Sequence, residues 1–228
     1  MHPLNISDSV RISVQARLGR AHAYDRLEPK KTALVVVDMQ NYFVAPGQPA
    51  ACRYGPAIAS NINRLAAMLR DKGGKVYWVL TEALPDDADD WSNLYEILGP
   101  SGKEARLVGL DRESEAFALW PEMDVNDDDQ TVVKTRYSAM LEESSDLRRR
   151  LTEAGVDTIL VSGVATNVCC EATARDSMMM GFRTIMVHDA MATFDDAQHN
   201  ASLSTFYMLF GDVQSVAEVE GFLGDAPK

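Results

Sequence analysis

Three residues of this 228-residue chain could together break a carbonyl–nitrogen bond: Cys169, Asp38 and Lys134. Each follows or ends a short apolar run. A cysteine sulfur is a strong nucleophile once it loses its proton. A nearby aspartate can take that proton and later hand it to a departing amine. A lysine that stays cationic stabilises the thiolate and holds the carboxylate in place. The turn Gly163 to Cys169 adds backbone N–H groups that can face a developing oxyanion. The set suits attack on a carbonyl, loss of an amine and hydrolysis of a thioester. The bland alternative is that Cys169 packs as a small hydrophobe and Asp38 and Lys134 form a structural ion pair.

The elements that must position them are legible from pattern. Strands are expected over Thr32–Asp38, Val76–Leu80, Thr131–Lys134, Thr158–Val161 and Arg183–His188, with a short sixth near Val213. Helical spacing runs over Pro56–Lys72, Ser144–Gly155, Val168–Phe182, Asp195–Phe210 and Val216–Leu223. Ser162-Gly163 reads as a turn, with Thr166 or Asn167 capping the next helix and Glu171 completing the cap. Cys169 then falls in a first helical turn, where free N–H groups and the helix dipole should lower its pKa. Strands alternating with helices give an α/β fold: three αβα layers around a parallel, six-stranded Rossmann-like sheet. Asp38, Lys134 and Cys169 then meet at the carboxyl edge of neighbouring strands, where open α/β sheets carry their sites.

Residues 1–31 are read as an N-terminal arm, locally basic and weakly amphipathic, packing on the core or on a neighbouring subunit; 32–228 form one domain. Pro85 to about Met123 is expected to be long and irregular, a wall or lid over a site, and its acidic run Asp86-Asp87-Asp89-Asp90 a solvated face. The net charge of −12, with no long Lys/Arg cluster, opposes binding to nucleic acid or anionic membranes. Three cysteines give no disulfide framework, and with no apolar leader or spanning segment the chain is expected in the cytoplasm. The four histidines form no zinc motif, and no metal or other cofactor is expected.

Three motifs resemble the isochorismatase-like cysteine hydrolases, a family that includes nicotinamidases, N-carbamoylsarcosine amidase and ureidoacrylate amidohydrolases. They are Ala33-Leu34-Val35-Val36-Val37-Asp38-Met39-Gln40-Asn41-Tyr42-Phe43, Val133-Lys134-Thr135-Arg136-Tyr137-Ser138-Ala139, and Gly163 to Asp176 with Ala165-Thr166-Asn167-Val168-Cys169 at its centre. The resemblance spans about Thr32 to Leu223 and implies the isochorismatase-like fold. It implies a Cys169–Asp38–Lys134 triad, and a cis peptide between Val164 and Ala165 that turns the Ala165 amide beside that of Cys169 as an oxyanion hole. The true isochorismatases lack this cysteine, so Cys169 favours amide over vinyl-ether hydrolysis. Nicotinamidases carry metal-binding histidines after the first strand; here no histidine lies between His22 and His188. The motifs are most similar to the ureidoacrylate and carbamoyl-amide branch, and Ser138-Ala139-Met140 departs from the common Ser-Ala-Phe. Cys170 stands where relatives commonly carry valine and is read as packing.

The expected substrate is a small amide, ureido or N-carbamoyl in kind, and the family's habit makes a homodimer or homotetramer the expected assembly. Asn41, Phe43, Glu82, Arg136 and Tyr137 are the substrate-contact candidates, with Trp78 and Trp120 as further wall residues. Arg136 has the planar fork that suits a carboxylate. Gln40 and Asn167 are read as loop braces. The rival readings are other chemistry on the same fold, acting on a larger or aromatic amide or on a nicotinamide-like or isochorismate-like substrate, and a binding module without catalysis.

Overall fold

The structure, a computed structural model, describes residues 1–85 and 91–224; the acidic run of Asp86 to Asp90 lies outside the described residues. Six parallel strands form the central sheet: β1 (Thr32–Val37), β2 (Lys75–Thr81), β3 (Gln130–Lys134), β4 (Thr158–Val164), β5 (Arg183–Ala192) and β6 (Asp212–Gln214). Their spatial order is β3-β2-β1-β4-β5-β6. The chain therefore winds outward from β1 in one direction, then restarts at β4 and winds in the other. The crevice between the carboxyl ends of β1 and β4 is the switch point where such sheets hold ligands.

Alternation along β1 explains why all six of its residues are buried. Leu34 and Val36 enter one core with Ile62, Leu65 and Leu69 of α3 (Ala59–Asp71), which follows the single turn α2 (Asn41–Val44). Ala33, Val35 and Val37 enter the other. That second core holds Leu147 and Leu151 of α5 (Leu147–Glu153), Ala174 of α6 (Glu171–Met179), and Leu203 and Phe206 of α7 (Asp196–Leu209). A last helix, α8 (Val216–Phe222), returns to the first core through Val216 and Val219. It begins with a capping box between Ser215 and Glu218.

Residues 1–31 pack on their own chain. Their helix α1 (Asp8–Leu18) lies against α7, with Val14 buried. His2 is buried too; its Nδ1 pairs with Asp196 Oδ1 at 2.6 Å and its Nε2 accepts from the Thr193 amide at 3.1 Å.

Two expectations change. The segment read as irregular to about Met123 is so, from Ser92 on, only after Gly109: Ser92–Gly109 is a helix, α4, kinked at Gly99 (φ 69°). Gly99 ends one helical stretch in a left-handed conformation and Pro100 starts the next, a Gly-then-Pro boundary that masks the periodicity. Ser162-Gly163 is no turn either, because β4 runs on to Val164. Gly163 pairs with Val37 at φ 104°, and a Cβ there would stand 2.0 Å from the Val37 carbonyl oxygen. The glycine allows β4 to approach β1 where the site forms.

Candidate active site

Asp38 follows β1 directly, at a left-handed φ of 54°, a conformation that aspartate tolerates better than most residues. Its amide donates to the Val79 carbonyl of β2, which anchors the turn. Lys134 is the last residue of β3. The two are not on adjacent strands, since β2 lies between them, and Thr81 at its end closes the gap. Lys134 Nζ donates to Asp38 Oδ2 at 3.0 Å, to the Arg136 carbonyl at 3.1 Å and to the Thr81 hydroxyl. That hydroxyl donates onward to Asp38 Oδ1 at 2.7 Å. Both carboxylate oxygens are thereby held, and Asp38 and Lys134 are fully buried. Gln40 fixes the frame, accepting from the Thr81 amide and donating to the Thr81 and Phe117 carbonyls.

Burial pulls the Lys134 ammonium down, but the Asp38 charge, the Cys169 sulfur and the hydrogen bond to Asp38 outweigh it, and its pKa is raised. Lys134 is therefore cationic at neutral pH.

Cys169 sits in a single π-helical turn, Thr166–Cys170, between β4 and α6. Such turns recur at functional sites because they reorient one side chain. Neither Thr166 nor Asn167 caps this helix. The Thr166 hydroxyl bonds His199 Nδ1 at 2.9 Å, and Asn167 accepts from the Thr193 hydroxyl. Glu171 pairs with Arg175. The turn is thus secured sideways onto α7 and the end of β5. Cys170 is buried in the second core, as a packing residue would be.

The expected low thiol pKa is overturned. Burial pushes the Cys169 thiol up, the Asp38 carboxylate adds to the rise, and Lys134 opposes it, leaving it pushed up to about 12. The dipole argument fails because the sulfur is desolvated and feels the charge of the Asp38 carboxylate. At neutral pH Cys169 is therefore a neutral thiol beside the Asp38 carboxylate. Alkylation of Cys169 by iodoacetamide, followed by peptide mass spectrometry, should accelerate about tenfold per pH unit with no plateau up to about pH 10. A plateau below about pH 8 would reveal a resting thiolate instead.

Cys169 and Asp38 open into a cavity of about 330 Å³. Its walls are mostly apolar: Tyr42, Phe43, Leu98, Val164, Val168 and Phe194 line it, with Pro49, Ala50, Cys52, Gly102, Ala105, Arg106, Tyr137 and Ala165. The Val164–Ala165 peptide is cis. Of the substrate-contact candidates, Phe43 and Tyr137 line the cavity, and Tyr137 meets the edge of the Trp91 ring with centroids 4.9 Å apart.

Asn41, Glu82 and Arg136 are not among the lining residues. Asn41 donates from its side chain to the Glu115 carbonyl and braces the loop after β1. Glu82 is gripped by both Nε and Nη2 of Arg112, at 2.6 and 2.9 Å. Arg136 lies over the Trp91 ring, 5.1 Å from its centroid, and donates to the Thr135 carbonyl. Trp78 is core, with its indole N–H on Asp129 at 2.8 Å, and Trp120 packs against the first core.

Sequence reasoning missed Thr81 and Arg106. Thr81 looked like any strand terminus. Arg106 lay in the segment taken as irregular, though Gly102, Ala105 and Arg106 follow helical spacing onto one face of the second stretch of α4.

Residues 32–218 match the family model of the isochorismatase domain. The isochorismatase family protein YwoC of Bacillus subtilis (strain 168) is 32% identical over 83% of this chain and 92% of its own length. The ureidoacrylate amidohydrolase RutB of Methylobacterium radiotolerans is 31% identical over 87% and 81%. Among solved structures, a cysteine hydrolase from Pseudomonas syringae pv. phaseolicola 1448A superposes with a TM-score of 0.76 at 29% identity, over 85% of this chain and 92% of the other.

Proposed function

The chain belongs to the isochorismatase family, and within it we propose that this protein is a cysteine-dependent amidohydrolase that cleaves the C–N bond of a small amide, of ureido or N-carbamoyl kind. The observation that carries the reading is a buried thiol lining the same mostly apolar cavity as a carboxylate whose two oxygens are held by Lys134 and Thr81.

The chemistry follows from the protonation states. A neutral Cys169 thiol gives its proton to Asp38 as the sulfur attacks the carbonyl carbon, so no free thiolate accumulates. The amides of Ala165 and Cys169 stabilise the oxyanion. Asp38 returns the proton to the departing nitrogen, the C–N bond breaks, and the acyl group stays on sulfur as a thioester. Water, deprotonated by Asp38, attacks the thioester; the acid leaves and the sulfur recovers its proton. For a ureido compound whose terminal nitrogen departs, the products are ammonia and a carbamate. Lys134 holds Asp38 oriented throughout and offsets its charge.

The apolar walls favour a second reading, a larger or aromatic amide in the same mechanism. Ammonia release from a panel of ureido acids, N-carbamoyl amino acids and aromatic primary amides separates the two. Turnover of the ureido and carbamoyl members supports the first reading; turnover of the aromatic amides alone replaces it with the second. Silence across the panel from folded protein overturns both.

A further inference from the structure

We propose that Arg106 selects the substrate by binding a carboxylate on it, so that the cavity takes monoanionic amides; this deepens the amidohydrolase reading and rests on it. Arg106 is only 7% exposed and lines the same cavity as Cys169 and Asp38. Its Nε is buried without a hydrogen-bond partner, and no carboxylate pairs with its guanidinium among the described residues. Arg70, Arg112, Arg149, Arg150 and Arg175 each have one. Its central carbon stands 5.8 Å from the centroid of the Trp91 ring.

Among the described residues, the charges lining the cavity do not cancel without a ligand. Lys134 is matched by Asp38, and Cys169 is a neutral thiol. Glu82, the buried carboxylate just after β2, is paired with Arg112 and does not line the cavity. One positive charge, on Arg106, remains among apolar walls. A buried, unpaired charge is costly and persists where something binds to it. One guanidinium matches one negative charge, and its planar fork fits a carboxylate in two parallel hydrogen bonds. A phosphate dianion would bring charge that nothing else in the cavity offsets. Arg106 and Cys169 lining one small cavity means that the carboxylate and the scissile carbonyl belong to the same short molecule.

The test separates this idea from the activity it rests on. Binding is measured by calorimetry to the full chain carrying Cys169→Ala, which cannot turn over. The probes are ω-ureido carboxylates of two to six carbons and 4-carbamoylbenzoate, each beside its neutral methyl ester. At least one acid should bind about tenfold or more tightly than its ester, since truncating a charge-assisted pair loses at least that much. The preference should vanish in Arg106→Gln and return in part in Arg106→Lys. No acid-over-ester preference anywhere in the series, with Arg106 intact, overturns the proposal, and that comparison stands even if Arg106→Gln does not fold. A preference that survives Arg106→Gln overturns it as well. Acid preference without ammonia release from the wild-type chain would instead overturn the amidohydrolase reading and leave the anion site standing. In the active enzyme, Arg106→Gln should raise KM for the acids about tenfold more than it raises KM for their esters. An equal fall in kcat for acids and esters would assign Arg106 to the chemical step and reject the selection role.

Discussion

Replacing Cys169 by alanine should lower kcat/KM at least ~10⁴-fold, a loss of about 5.5 kcal/mol of transition-state stabilisation. The size follows from the group's place in the sequence of steps. Without the sulfur no acyl-enzyme forms, and Asp38 has no thiol proton to take. What remains is binding in the cavity, the oxyanion donors and a carboxylate able to activate water, so residual hydrolysis should be weak but not zero. The fold should survive, because one sulfur atom is lost from a residue at the edge of the second core, and the helix after it starts independently at Glu171. The unfolding midpoint and the kinetics are read on the same preparation. Acid-quenched wild-type protein should carry a mass adduct on the Cys169 peptide, and the variant should carry none. Activity within tenfold of wild type would remove Cys169 from the mechanism.

The second large effect belongs to Lys134. Lys134→Met keeps most of the volume and removes the charge, leaving Asp38 buried with only the Thr81 hydroxyl on one oxygen. Breaking a buried pair by deleting one partner costs about 3–5 kcal/mol, because the other charge is left uncompensated. Denaturant unfolding should show a loss of that size. Adding Asp38→Asn to the same chain removes the orphaned charge and should recover a large part of the stability. Activity should fall in both variants and recover in neither. A structural ion pair alone would show the stability pattern without the catalytic loss, so the double variant decides between the two roles. Equal stability of Lys134→Met and wild type would mean that the pair contributes nothing net to the fold.

The amino-acid sequence by itself determined the alternation of strands and helices, and with it the parallel sheet. Runs such as Thr32–Val37 are apolar on both faces and can be buried only between two helical layers. It also singled out Asp38, Lys134 and Cys169 as a set that could meet, because strand ends in such a sheet share one edge. What it could not determine depended on distance between elements. Only the strand order shows that β2 intervenes between Asp38 and Lys134, and that Thr81 must therefore join them. Only the close approach of β4 to β1 shows that Gly163 is a contact point within a strand. The thiol pKa was inferred from a local dipole, but desolvation and the Asp38 charge, both tertiary, outweigh it. The substrate candidates followed the same division. Asn41 and Arg136 are close to Asp38 and Lys134 in the chain, and Glu82 follows Thr81, yet their side chains are taken up by Glu115, by Thr135 and Trp91, and by Arg112. Arg106, 28 residues before Lys134 in the chain, reaches the cavity because α4 folds across the carboxyl edge. Periodicity fixes which way a side chain faces within its own element; which partner it meets is fixed only when the elements pack.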